Sequence, residues 1–446
     1  MRIVGLVALA AVALGAGAAS GQGPGPGPRG YQDPPITGPV VPELGGLDRF
    51  LRAFVIQHRV PGLAVAVAHR GRVVYARGFG LADVDAGTPV EPDSLFRIAS
   101  VSKPITAVAV LRLVEHGKLK LDDPAFKVLD LRVDGKPVPL ADPRLGEVTV
   151  RELLRHTGGW DGERSGDPMF RPVEIARELG VPPPAAPAAI VRAMLGKPLD
   201  FDPGHRYAYS NFGYCVLGRL IEKVSGKPYE TFVRAEVLAP LGIRNMRLGK
   251  TLPEDRAPRE VRYYDAKRRE GPGVVGPTLG KRVPLPYGGF DLEAIDAHGG
   301  WLASAEELVR FAAAFDDPRH PRPLHPRTLA AMVERPEGLA GFRHDGNPRD
   351  AYYGLGWMVR PVGPRGDTLW HSGRLDGTSA LLVRRFDGTS WAVLFNTDAD
   401  PQGQDLAETI DPLLHPVIDT IRSWPSHELL HRHARDRAGG RATGTR

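Results

Sequence analysis

The sequence predicts an α/β chain of the α+β kind. An antiparallel sheet is assembled from both chain ends and flanked by helices, and a mostly helical lobe is inserted between its halves. Three observations carry this reading. Leu63–Ala68 and Arg72–Ala76 are apolar, β-prone runs joined at Arg70-Gly71, a tight two-residue turn. Thr368–His371, Ser379–Val383 and Ser390–Phe395 make three more such runs, the last two joined through Asp387-Gly388. Between the two groups, apolar residues recur at helical spacing instead.

The elements follow in chain order. Met1-Arg2, the apolar run Ile3–Leu14 and small residues through Ser20, including Ala16-Gly17-Ala18, read as a signal peptide over 1–20. The expected location is therefore secreted or periplasmic, with no stable membrane anchor, because the apolar run is too short to span a bilayer. Residues 21–44 hold Gly-Pro repeats and Asp33-Pro34-Pro35, and are expected to form an extended linker with neither helix nor ladder. The folded domain is expected over 45–424, its sheet lobe from 45–115 and 290–424 and its helical lobe from 116–289. Leu47–His58 and Gln404–Ile421 are helical in pattern. Thr149…Glu152 and Ser304…Glu307 have capping-box spacing. The helix that Thr149 opens should stop at Thr157-Gly158-Gly159, while Pro182–Pro184 and Gly271–Gly280 should be loops. Residues 425–446 are rich in Arg and His and are expected to be a disordered basic tail.

Composition narrows the function. The 446 residues are 42% hydrophobic and 25% charged, enough core-forming material to exclude a wholly disordered chain despite 53 Gly and 43 Pro. The single Cys215 excludes a disulfide framework and any multi-cysteine metal site; on an apolar helix it reads as a buried, inert thiol. The net charge of +6 is scattered, without a basic block in the folded region, which argues against nucleic acid as a partner.

The sharpest local feature is Phe96-Arg97-Ile98-Ala99-Ser100-Val101-Ser102-Lys103-Pro104, which leads into a helix apolar nearly all round. Proline is tolerated only near a helix start, so Pro104 places Ser100 at the N-terminus, where a free N–H and the helix dipole favour negative charge. Lys103 lies one turn on, on the same face. Buried, it would lose its proton more readily and could accept that of the serine. Tyr207-Ala208-Tyr209-Ser210-Asn211 opens another apolar helix; Tyr209 could aim its hydroxyl at a serine and act as base, and Asn211 could hold a substrate carbonyl. His371-Ser372-Gly373 ends a strand. Gly373 would admit a close backbone approach, His371 could bond the serine–tyrosine network or a substrate carboxylate, and the Arg374 N–H could join that of Ser100 as oxyanion donor.

In this order, and with Leu153-Leu154-Arg155-His156-Thr157-Gly158-Gly159 between the first two, these elements resemble the serine β-lactamase and penicillin-binding-protein superfamily. Within it they are most similar to the class C β-lactamase-like branch, with its D-alanyl-D-alanine carboxypeptidases, D-aminopeptidases and esterases. The resemblance spans roughly residues 45 to 422. It implies a β-lactamase/transpeptidase-like fold and no cofactor. Ser100 would be the acylated nucleophile, Lys103 its proton acceptor or relay, Tyr209 base and acid toward the leaving group, and Asn211 a substrate ligand. Which of Lys103 and Tyr209 takes the serine proton stays open. His371 stands where β-lactamases of this branch have lysine, which suits the peptidase- and esterase-like members. The implied substrate is a small ester, an amide or a cell-wall peptide.

Two rivals belong to other classes. His427-Glu428-Leu429-Leu430-His431 fits the zinc-peptidase pattern, but only 15 residues follow it to supply a third ligand, and the stretch is too polar for a core helix. A non-catalytic binder of cell-wall peptides would need none of Ser100, Lys103 and Tyr209. His156 and His298, beside glycine pairs, are expected to brace turns, and the loops 161–169 and 271–289 to shape specificity.

Overall fold

A computed structural model describes residues 33–316, 323–426 and 428–429. Its centre is an antiparallel sheet built on β1 (Gly62–His69), β2 (Arg72–Asp83), β3 (Asp367–Leu375), β4 (Thr378–Arg384) and β5 (Thr389–Phe395). The order across it is Ile36–Thr37, β2, β1, β5, β4, β3, Met358–Pro361 and Tyr352–Tyr353, with Thr88–Pro89 also on β2. Both chain ends therefore meet at β1 and β5, where Val65 faces Val393 and Val67 faces Trp391. The β1–β2 turn has Arg70 at φ +50° and Gly71 at φ +76°, the positive pair that a two-residue hairpin requires.

The helices that cover the sheet and form the inserted lobe are α1 (Gly45–Gln57), α2 (Ser102–Glu115), α3 (Val150–Leu154), α4 (Asn211–Ser225), α5 (Ala305–Ala313) and α6 (Leu406–Asp419). Alternation on β1 sorts them. Leu63, Val65 and Val67 face one core with Leu47, Leu51 and Val55 of α1 and Leu406, Ile410 and Leu414 of α6. Ala64, Ala66 and Ala68 face the other, where α5 brings Leu308 and Phe311. Small side chains on that face let a helix lie close against the sheet.

Several expectations need correction. The linker is not free of ladder: Ile36 and Thr37 pair with Phe79 and Gly78 of β2. Pro34-Pro35 pre-sets an extended backbone, and the next two residues supply the hydrogen-bonding groups that proline lacks. Helix α2, assigned from sequence to the sheet lobe, packs against α4 of the inserted lobe as well as against the Asp296–Gly299 turn, as a helix buried on every side must. The Gly271–Gly280 loop contains one arm of a short hairpin, Glu270–Pro272 with Arg282–Pro284. The helical lobe also sends Arg247–Leu248 to pair with Trp301–Ala303, which in turn pairs with Phe96–Arg97. Thr149 and Glu152 form the full capping box, whereas Ser304 caps α5 alone because the Glu307 carboxylate accepts from the N–H of Asn245 at 2.8 Å. At the far end the packed part of the chain outlasts residue 424: Leu429 is buried and its N–H donates to the Val73 carbonyl at 3.0 Å. The leader 1–20, His427 and His431 lie outside the described residues.

Candidate active site

Ser100 sits on a single 3₁₀ turn, Ala99–Val101, wedged between Phe96–Arg97 and α2. Ala99 is held at φ +47°, a left-handed conformation that costs a β-carbon-bearing residue energy and persists only where its surroundings enforce it. They do so here. The Ile98 N–H donates to the Trp301 carbonyl at 3.0 Å, and that of Arg97 to the Tyr263 hydroxyl at 2.8 Å. The wholly buried Arg97 guanidinium donates to the carbonyls of Pro286 at 2.6 Å and Lys250 at 2.8 Å, with the Tyr263 ring 4.4 Å away. The turn is tied to both lobes.

Pro104, third in α2, fixes the register that brings Lys103 back under Ser100. Lys103 has no solvent exposure, and its Nζ has three partners: Ser100 Oγ at 2.9 Å, Asn211 Oδ1 at 2.7 Å and the His298 carbonyl at 2.9 Å. Two of these can only accept. A neutral amine that donates to both therefore keeps its lone pair for the serine hydroxyl. Burial favours that neutral form, pushing Lys103 well below the usual lysine range against the opposing pull of Asp167. On the other side, the Tyr209 hydroxyl donates to Ser100 Oγ at 2.8 Å. Loss of solvent around it pushes this phenol well above 10. The two shifts point one way: a protonated tyrosine and a deprotonated lysine on either side of the serine hydroxyl.

Asn211, expected to face substrate, spends its carboxamide within the protein. Its oxygen takes the lysine, and its Nδ2 donates to Asp167 Oδ2 at 2.6 Å. Asp167 was missed in the sequence; its other oxygen accepts from the Met169 N–H at 3.0 Å, an Asp-Pro turn start. His371 lines the cleft, but it does not touch the serine–tyrosine pair. Its Nδ1 lies 2.6 Å from the Ser372 carbonyl, which can only accept, so Nδ1 carries the proton and Nε2 takes that of Tyr353 Oη at 2.9 Å. Burial lowers its pKa to about 3, so at neutral pH it is an uncharged brace rather than a cation. Tyr353, on an outer strand too short to read from sequence, is the second residue that sequence reasoning missed.

Gly373 lies against the Ala99–Val101 turn. A β-carbon there would stand 2.3 Å from the Ile98 carbonyl oxygen and 2.9 Å from the Ser100 nitrogen. The next residue, Arg374, holds its guanidinium between Asp398 at 3.3 Å and Asp405 at 3.6 Å.

His156 braces its turn and packs on the tyrosines of the site, and His298 lines the cleft. The Nδ1 of His156, a residue at φ +56°, accepts the Ser210 N–H at 3.1 Å, and its ring packs 4.4 Å from those of Tyr209 and Tyr353. Burial pushes His156 and His298 well below 6.5. A buried neutral imidazole favours folding above the ordinary pKa, and that advantage is lost as pH falls below 6.5, because the unfolded chain then binds the proton and the folded chain does not. For His371, between 6.5 and about 3, the loss at pH 5 is about 2 kcal/mol. Urea unfolding at pH 7.5 and 5.0 should therefore show a pH-dependence smaller by about that amount in His371→Asn; an identical dependence in both proteins would refute the neutral buried imidazole.

The cleft above Ser100 encloses about 370 Å³, and Phe170, Tyr207, Ile295, Met358 and Leu375 give it an apolar wall. A serine held between an amine and a phenol at the edge of an antiparallel strand is what the class C-like resemblance implies. The β-lactamase family model matches residues 47–414. The chain belongs to the β-lactamase family. It is 32% identical to esterase EstB of Burkholderia gladioli over 79% of this chain and 90% of that one. Penicillin-binding protein 4* of Bacillus subtilis is 26% identical over 74% of this chain and 66% of its own. The D-amino acid amidase of Ochrobactrum anthropi, 23% identical, shares the fold at a TM-score of 0.62 over 85% of this chain and 98% of that one. The β-lactamase-family fold and these relatives mark the chain as a serine hydrolase. They also explain why helix α2, the Tyr209 loop and β3 converge from such separate parts of the chain.

Proposed function

We propose that this chain is an exported serine ester hydrolase that works through an acyl-enzyme at Ser100, with a small ester as substrate and no cofactor. The observation that carries this is the placement of Ser100 Oγ 2.9 Å from Lys103 Nζ and 2.8 Å from Tyr209 Oη. Lys103 accepts the serine proton as Oγ attacks the acyl carbon. The carbonyl oxygen becomes an oxyanion facing the backbone N–H groups of Ser100 and Arg374. As the intermediate collapses, Tyr209 gives its proton to the departing alkoxide and recovers one from the lysine ammonium. Water then repeats the sequence on the acyl-enzyme and releases the acid, returning both groups to their starting states.

An ester is favoured because the relative with 32% identity and 90% of its length matched is an esterase. The apolar wall of the cleft supports the same choice. The apolar leader over 1–20 supports export, with the enzyme free of a stable membrane anchor. Incubation with a fluorophosphonate probe should label the intact protein at Ser100, with release of acid from a p-nitrophenyl ester on the same preparation. Labelling that persists in Ser100→Ala would overturn the assignment of the nucleophile.

A further inference from the structure

This inference rests on the proposed ester hydrolysis and names the substrate class. The basic groups that border the cleft are either uncharged or already paired, and burial keeps the cleft-lining His298 neutral. Lys103 spends its amine on Ser100, Asn211 and His298 beneath the cleft floor. His371 has both ring nitrogens occupied by Tyr353 and Ser372. Arg374, about half exposed, is shared between Asp398 and Asp405, and Asp398 is also approached by Arg269, which itself reaches Asp265 and Asp376. Carboxylates outnumber guanidiniums in that cluster four to two. Asp167 adds another carboxylate next to Asn211.

The apolar side chains of the lining, the exposed Phe170 with Tyr207, Ile295, Met358 and Leu375, offer no charge. An acyl chain laid there exchanges water for apolar contact. A carboxylate laid there is desolvated beside fixed negative groups without a free partner, and a site discriminates by such unpaired charge as much as by attraction.

We propose that the Ser100 cleft selects esters with uncharged, apolar acyl groups and discriminates against acyl groups that carry a carboxylate. The discrimination comes from arginine and histidine side chains neutralised within the protein, and from the apolar Met358 on the strand beside β3, where Met358 faces Trp370.

The test compares p-nitrophenyl hexanoate with p-nitrophenyl hemiadipate, the same chain ending in a carboxylate, each corrected for its spontaneous hydrolysis. On the wild-type enzyme, kcat/KM should favour the hexanoate by at least tenfold; a ratio below about tenfold overturns the proposal. In Met358→Arg, which places a cation on the wall, the ratio should fall at least fivefold. An unchanged ratio in a variant that still hydrolyses hexanoate overturns it too, and if that variant does not fold the wild-type ratio decides alone. Hydrolysis of neither ester by the wild-type enzyme would instead remove the proposed esterase function, and this inference with it.

Discussion

Lys103→Met should lower kcat/KM for a p-nitrophenyl ester by about 10³-fold or more, the order expected when a positioned base beside a serine nucleophile is lost. Methionine matches the lysine stem in length and bulk but offers no lone pair to the Ser100 hydroxyl. Tyr209 cannot replace it, since loss of solvent holds that phenol well above its ordinary value and in its protonated form. The variant also leaves Asn211 Oδ1 and the His298 carbonyl without their donor. Each orphaned acceptor costs about 1–3 kcal/mol, partly offset because no amine has to be buried. Circular dichroism and urea unfolding would separate lost stability from lost chemistry. Tyr209→Phe, by contrast, should still be acylated by a fluorophosphonate, because Lys103 remains to take the proton. If Lys103→Met kept a tenth of wild-type turnover while Tyr209→Phe lost all labelling, the roles of the two groups would be reversed.

Much of this site was legible in the sequence because its central pair is local. Ser100 and Lys103 are one helical turn apart, and Pro104 states where that turn begins, so their contact needs no tertiary information. The main strands were legible for the same reason: their apolar runs and the Arg70-Gly71 and Asp387-Gly388 turns are short-range signals. Asp167 and Tyr353 were not. Asp167 meets Asn211 across 44 residues of chain, through a loop whose path is set by packing. Tyr353 reaches His371 from a two-residue strand followed by Gly354 and Gly356, which shows no periodicity to detect. His371 itself was found, and its neighbours then changed its meaning. A histidine on a strand edge suggests a ligand for substrate; with a carbonyl on one nitrogen and a phenol on the other it is a buried neutral brace. The run Leu63–Ala68 reads as a strand, yet only the structure divides α1 and α6 from α5 by the alternation of its side chains.

Gly373→Ala should be nearly as damaging as loss of the lysine, although it adds one methyl group and removes nothing. The new β-carbon would meet the Ile98 carbonyl oxygen at 2.3 Å, the Ser100 nitrogen at 2.9 Å and the Val101 nitrogen at 3.1 Å. All three are backbone atoms, so no side chain can swing aside. Either β3 retreats from the nucleophile turn or the turn shifts, and that turn is pinned by the buried Arg97 and strained at Ala99. Movement of β3 carries the Arg374 N–H with it and separates the two proposed oxyanion donors. Removing one such donor costs on the order of 10²–10³ in kcat. Overpacking adds roughly 1–3 kcal/mol of instability. Because the same donors would serve acylation and deacylation, kcat should fall in both steps, and by more than KM for the hexanoate ester changes. Ser372→Ala, next along the strand and exposed, should leave the strand in place and separates this steric effect from a general weakening of β3. Turnover by Gly373→Ala within threefold of wild type would mean that the strand and the turn have room to part, and that the oxyanion is held elsewhere.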